Sequence, residues 1–102
     1  MIFKFQILNF KLKKSMILFR VKISGESLWP ELIPGRTYWA TSIFTPKVGD
    51  YAVFRKPAEP EKIIVKKVKD IQSGIFDLRG TIARSASYKV PKSNILGRIL
   101  GV

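Results

Sequence analysis

The stretch Lys62-Ile63-Ile64-Val65-Lys66-Lys67-Val68-Lys69-Asp70 decides how the rest of the chain is read. Its apolar residues follow no 3.6-residue period, and as a strand it divides into two faces because successive side chains alternate. Ile63, Val65, Lys67 and Lys69 fall on one face, and Ile64, Lys66 and Val68 on the other. Lys66 is thus the lysine flanked on its own face by two aliphatic residues. An amine held against apolar surface loses hydration of its charged form, so its pKa falls. A neutral amine at ordinary pH can take a proton from a serine hydroxyl. The competing reading is a lysine on an edge strand whose stem lies on apolar surface while its head reaches water.

Outward from this strand, the chain reads as short strands separated by turn residues. Toward the N-terminus the expected strands are Met16–Ser24, Thr37–Ile43 and Tyr51–Arg55; toward the C-terminus they are Gly74–Leu78 and Asn94–Leu100. Between them lie Gly25–Gly35 with Pro30 and Pro34, the turn Thr45–Asp50 with Pro46 and Gly49, and the loop Lys56–Pro60. No stretch of helical length carries a helical period. Strands spaced about a dozen residues apart with Gly and Pro between them predict a mostly β fold, a small antiparallel barrel or sandwich.

The chain has 102 residues, enough for one domain with one modest core. A hydrophobic content of 46% with 25% charged residues is that of a globular protein. There is no histidine and no cysteine. This excludes a Ser-His-Asp triad, a thiol nucleophile, disulfides and any zinc site ligated by His or Cys. Catalysis would have to use carboxylates, Lys, Ser, Thr or Tyr.

The net charge of +12 points to an anionic partner, whether nucleic acid, a membrane surface or an acidic protein. The charge is unevenly placed. Residues 1–22 hold six basic residues (Lys4, Lys11, Lys13, Lys14, Arg20, Lys22) and no acid. Residues 1–15 read as a basic-aromatic segment, either a first strand with Phe3, Phe5 and Ile7 on one side or an arm lying on a membrane surface. The segment is too short and too often interrupted by lysine to span a bilayer, and it lacks the apolar core and cleavage site of a signal peptide. Residues 16–102 are expected to form the globular domain. Peripheral membrane association or a cytoplasmic location follows as the expectation.

A second segment stands out: Ser24-Gly25-Glu26-Ser27-Leu28-Trp29-Pro30-Glu31-Leu32-Ile33-Pro34-Gly35. Ser27 follows the end of a strand, with Gly25 two residues before it and Pro30 three after. Such a bent backbone can present a hydroxyl and converge N–H groups on an oxyanion, although serines are common in Gly/Pro-rich turns.

In this order the segments resemble the type I signal peptidases and their relatives. The family pattern SGxSMxPxLxPGD is read here in Ser24 through Arg36. Its PxxGDIVVF box corresponds to Pro46-Lys47-Val48-Gly49-Asp50-Tyr51-Ala52-Val53-Phe54, and its VKRV to Val65-Lys66-Lys67-Val68. The closing VPxxNIIGRV is similar to Val90-Pro91-Lys92-Ser93-Asn94-Ile95-Leu96-Gly97-Arg98-Ile99. The resemblance covers roughly residues 17–100 and implies a serine endopeptidase with a Ser-Lys dyad that cuts a leader or precursor peptide after small residues. Ser27 matches the nucleophile and Lys66 the general base. The family's oxyanion hole uses the nucleophile's own N–H, helped in some members by a Ser hydroxyl two residues earlier. That position is Gly25 here, which leaves Ser24 as the nearest hydroxyl. Leu28, Trp29 and Pro30 would lie at the substrate cleft, where an extended peptide adds as a strand. No metal or organic cofactor is implied.

The departures are Leu28 in place of Met, Arg36 in place of the acid, and the absence of recognisable GDN and SxDSR boxes between Lys69 and Val90. Arg79-Gly80-Thr81 and Arg84-Ser85-Ala86-Ser87-Tyr88 stand there instead. Ser85 or Ser87 is the candidate hydroxyl to position Lys66. The resemblance is nearest in size to short maturation proteases that clip one dedicated precursor.

Three other readings stand beside this one. Self-cleaving repressor domains share the chemistry but cut an Ala-Gly or Cys-Gly bond upstream of the nucleophile, and here the first alanine is Ala40. A signal-peptidase-like fold without activity is the second. A basic β-barrel that binds nucleic acid or protein is the third, with Phe3, Phe5, Phe10, Trp29, Tyr38 and Trp39 as stacking groups. Aromatics at strand positions are more often core, which disfavours nucleic acid.

Overall fold

A computed structural model describes residues 4–7, 18–25, 28–82 and 85–102. These residues form one antiparallel sheet of eight strands: β1 (Lys4–Ile7), β2 (Leu18–Lys22), β3 (Thr37–Thr41), β4 (Tyr51–Lys56), β5 (Glu59–Gln72), β6 (Ile75–Arg79), β7 (Tyr88–Pro91) and β8 (Ile95–Ile99). Their order across the sheet is β1-β2-β3-β8-β4-β5-β6-β7. The mostly β, antiparallel class expected from the spacing of turns is the class observed.

The sheet curls in two opposite directions around its centre. Tyr51, Ala52, Val53 and Phe54 of β4 are all buried, as are Ile63, Ile64, Val65 and Lys66 of β5, so this hairpin is covered on both faces. Odd-numbered positions (Tyr51, Val53, Ile63, Val65) join Phe19 and Val21 of β2, Ala40 of β3 and Ile99 of β8 in a first core cluster. Even-numbered positions (Ala52, Phe54, Ile64) join Val68, Phe76, Leu78 and Val90 in a second. The rings of Phe54 on β4 and Tyr88 on β7 meet edge-to-face at 5.5 Å although β5 and β6 lie between their strands, which closes the second curl. Each curl supplies the apolar lid that one flat sheet of this size would lack on both sides.

Strand β8 threads between β3 and β4 because Gly97 lets it. An added Cβ there would run into the backbone carbonyl of Thr41, so the neighbouring chain occupies the space of a side chain.

Several expected boundaries move. The segment Lys56–Pro60 is a tight hairpin rather than a loop, with Lys56 opposite Glu59. Pro60 is tolerated inside β5 because the pairing slips between Arg55↔Ile63 and Lys56↔Glu59, where no ladder donor is required of it. Strand β7 was not expected: four residues ending in proline beside a serine-rich stretch give little periodic signal. The strand alternative for the N-terminal segment is met at Lys4–Ile7, which pairs with β2; Phe3, Phe10 and Leu12 lie outside the described residues. No helix among the described residues is long and apolar enough to cross a membrane.

Candidate active site

The alternation that singled out Lys66 holds in three dimensions. Lys66 has no exposed surface. Its partner across the ladder on β4 is Ala52, small enough to leave room for the lysine stem, and Ile64 and Val68 flank it along β5. On the β6 side the ladder begins at Lys67↔Arg79. Among the described residues no carboxylate pairs with Lys66. Burial pushes its amine below the ordinary lysine value, because the charged form loses its hydration.

The ladder on the β6 side of β5 stops at Lys67. Strand β6 pairs with β5 only from Lys67 to Gln72, whereas β4 pairs from Glu59 to Lys67. Among the described residues, then, Ile63–Lys66 have a strand on one side and none on the other. A strand edge without a ladder partner is where an extended peptide can add.

The serine-bearing loop is pinned where it leaves and returns. The Ile23 N–H donates to the Arg36 carbonyl at 3.0 Å, and the Gly35 N–H donates to the Ile23 carbonyl at 2.7 Å. Between these points Leu28 and Leu32 are fully buried in the first cluster, and the Leu32 N–H donates to the Leu28 carbonyl at 2.9 Å. Glu31 reaches across β5 to the Lys67 ammonium at 3.1 Å. The Thr81 hydroxyl donates to the Trp29 carbonyl at 2.9 Å. The loop is thereby fastened over β5 at Lys67, the neighbour of Lys66, and against the residue that follows Gly80.

The expected site residues divide by what surrounds them. Ser27, with its neighbour Glu26, lies outside the described residues. Gly25 precedes them, exposed, at a φ of +82°, a conformation that a side chain disfavours. Ser24 is exposed. Of the three expected cleft residues, Leu28 is a buried anchor of the loop, whereas Trp29 (55% exposed) and Pro30 face solvent. Ser85 is half-buried and its hydroxyl donates to the Ile82 carbonyl at 2.8 Å, which leaves its lone pairs able to accept from an amine. Ser87 is exposed. Both serines line one surface cavity of about 310 Å³ together with Gly80.

Two fastenings escaped sequence reasoning, Thr81 to Trp29 and Glu31 to Lys67. They link residues 52 and 36 positions apart, and no local pattern marks such pairs. Comparison with known proteins returns no matching family model, no matching curated protein and no matching solved structure.

Proposed function

We propose that the chain is a serine endopeptidase in which Ser27 is the nucleophile and Lys66 the general base. The observation that carries this reading is the complete burial of Lys66 among aliphatic side chains, which lowers its pKa and makes it a proton acceptor. The fastening of the serine-bearing loop at Lys67, next to Lys66, supports it, as does the lack of a strand among the described residues on the second side of Ile63–Lys66.

On this reading an extended peptide adds along Ile63–Lys66 with its scissile carbonyl at Ser27. Lys66 Nζ takes the Ser27 hydroxyl proton as the oxygen bonds to the carbonyl carbon, and the backbone N–H of Ser27 stabilises the oxyanion. Lys66 then gives the proton to the leaving amine, which departs as the new N-terminus. Water, deprotonated by Lys66, hydrolyses the acyl-enzyme. Ser85 or Ser87 is the hydroxyl assigned on this reading to position the amine. The substrate is a precursor or leader peptide with small residues at the first and third positions before the cut. The basic side chains of segment 1–14, whose residues 4–7 also form β1, attach the enzyme peripherally to an anionic membrane.

Cleavage of a peptide with alanine at both preferred positions tests the assignment. Ser27→Ala and Lys66→Ala are each expected to abolish it with circular dichroism unchanged. Retained activity in either variant overturns the dyad. Flotation of the full chain with anionic liposomes, lost on removal of residues 1–14, tests the membrane attachment; no flotation of the full chain removes it.

A further inference from the structure

The cavity lined by Ser85 and Ser87 adjoins another. A second cavity of about 400 Å³ is lined by Glu31, Lys67 and Thr81 among others, and the two share Lys69, Arg79 and Gly80. Among the described residues, three cations (Lys67, Lys69 and Arg79) line these cavities and Glu31 is the carboxylate facing them.

These cations are not equivalent. Lys67 is held by Glu31 at 3.1 Å, and Arg79 is held by Asp77 through Nε at 3.2 Å and Nη2 at 3.0 Å. Lys69 pairs with no carboxylate among the described residues. Its position is built by the backbone. The β5–β6 pairing runs Val68↔Leu78 and then Asp70↔Asp77, so Lys69 is the extra residue of a bulge. Bulges re-aim a side chain that a regular ladder would direct elsewhere. Beyond it the inward positions of β5 switch from even to odd: Val68 belongs to the second cluster, and Ile71 packs against it.

We infer that Lys69, with Arg79 and Lys67 beside it, forms a subsite for an acidic side chain of a bound peptide. This rests on the reading of the adjoining β5 edge as the place where the peptide lies. The site suits a peptide better than a nucleic acid. Among the described residues none that lines either cavity is aromatic, which gives bases no stacking platform there, and Glu31 would stand against a run of phosphates.

The test uses the full chain carrying Ser27→Ala, so that nothing is turned over, and fluorescent ten-residue peptides with alanine at the two preferred positions. The peptides differ only in carrying Glu or Gln at one flanking position, scanned along the sequence. At one position or more the Glu peptide is expected to bind roughly fivefold tighter than its Gln counterpart, the upper scale of a partly exposed ion pair. The preference should shrink in high salt, vanish in Lys69→Gln and reverse in Lys69→Glu. Equal affinity at every position, or a preference untouched by Lys69→Gln, overturns the subsite. So does displacement of the peptide by an oligothymidylate of matched charge at lower concentration than an acidic competitor peptide. Acidic preference in binding without cleavage by the unmodified chain would retire the peptidase and keep the subsite; cleavage without that preference would do the reverse.

Discussion

The two faces of β5 meet at adjacent lysines and treat them oppositely. Lys66 turns into the second curl, among Ala52, Ile64 and Val68, and has no exposed surface. Lys67 turns toward the serine-bearing loop, where its side chain stays 36% exposed, lies 5.7 Å from the centre of the Tyr51 ring and pairs with Glu31. One peptide bond separates a cation held as a fastener from an amine denied its hydration. The difference shows that the chemistry of a lysine here is set by strand parity, since a shift of one residue would exchange the two environments.

The comparison breaks first on activity. Lys66→Met should reduce kcat/KM by about a thousandfold or more, the scale of losing a general base, whereas Lys67→Met should stay within a few-fold of the unmodified chain. Equal losses in the two variants would mean that parity does not choose the base. The peptide-cleavage assay measures both.

The next effect belongs to the first curl. Leu28 is fully buried beneath the loop, so Leu28→Ala should cost about 2–5 kcal/mol in denaturant unfolding by cavity formation. An exposed cleft residue at this position would show almost no cost.

Stability sharpens the contrast between the lysines in the opposite sense to activity. Because burial lowers the folded-state pKa of Lys66, the unfolded chain binds more protons between the two values, and stability rises with pH across that window. The cost is fully present below the folded-state pKa and is gone above the ordinary lysine range. Lys66→Met should therefore stabilise the fold near neutral pH. The gain should fade in unfolding curves taken at increasingly alkaline pH. Lys67→Met should lower stability by less than about 1 kcal/mol, since it removes only a partly exposed ion pair.

The smallest effect tests the loop's attachment at its far end. Thr81→Val leaves the shape of the side chain and removes its hydrogen bond to the Trp29 carbonyl, so it should cost about 0.5–1.5 kcal/mol. Cleavage should weaken several-fold with the pH profile unmoved, because the proton acceptor is untouched.

What was legible in the sequence is what a period of two can carry. Alternation along Ile63–Val68 selected Lys66 and placed it between Ile64 and Val68, and turn residues marked most strand ends. Where a local rule is broken, the reading failed. Pro60 argued for a loop, yet a slipped register houses it within β5. The bulge at Lys69 changes the parity of β5 where two successive polar residues, Lys69 and Asp70, stand between Val68 and Ile71. Leu28 was placed at the cleft by its position in a motif, although its chemistry suits the core it occupies. Thr81 and Glu31 gave no signal, because their partners are brought to them by the curl of the sheet.

The separation between Ser27 Oγ and Lys66 Nζ in a high-resolution crystal structure tests the central claim most directly. The account predicts hydrogen-bond reach, about 2.6–3.2 Å, with the amine enclosed by Ala52, Ile64 and Val68. A hydroxyl lying farther from the amine than one bridging water can span would contradict it.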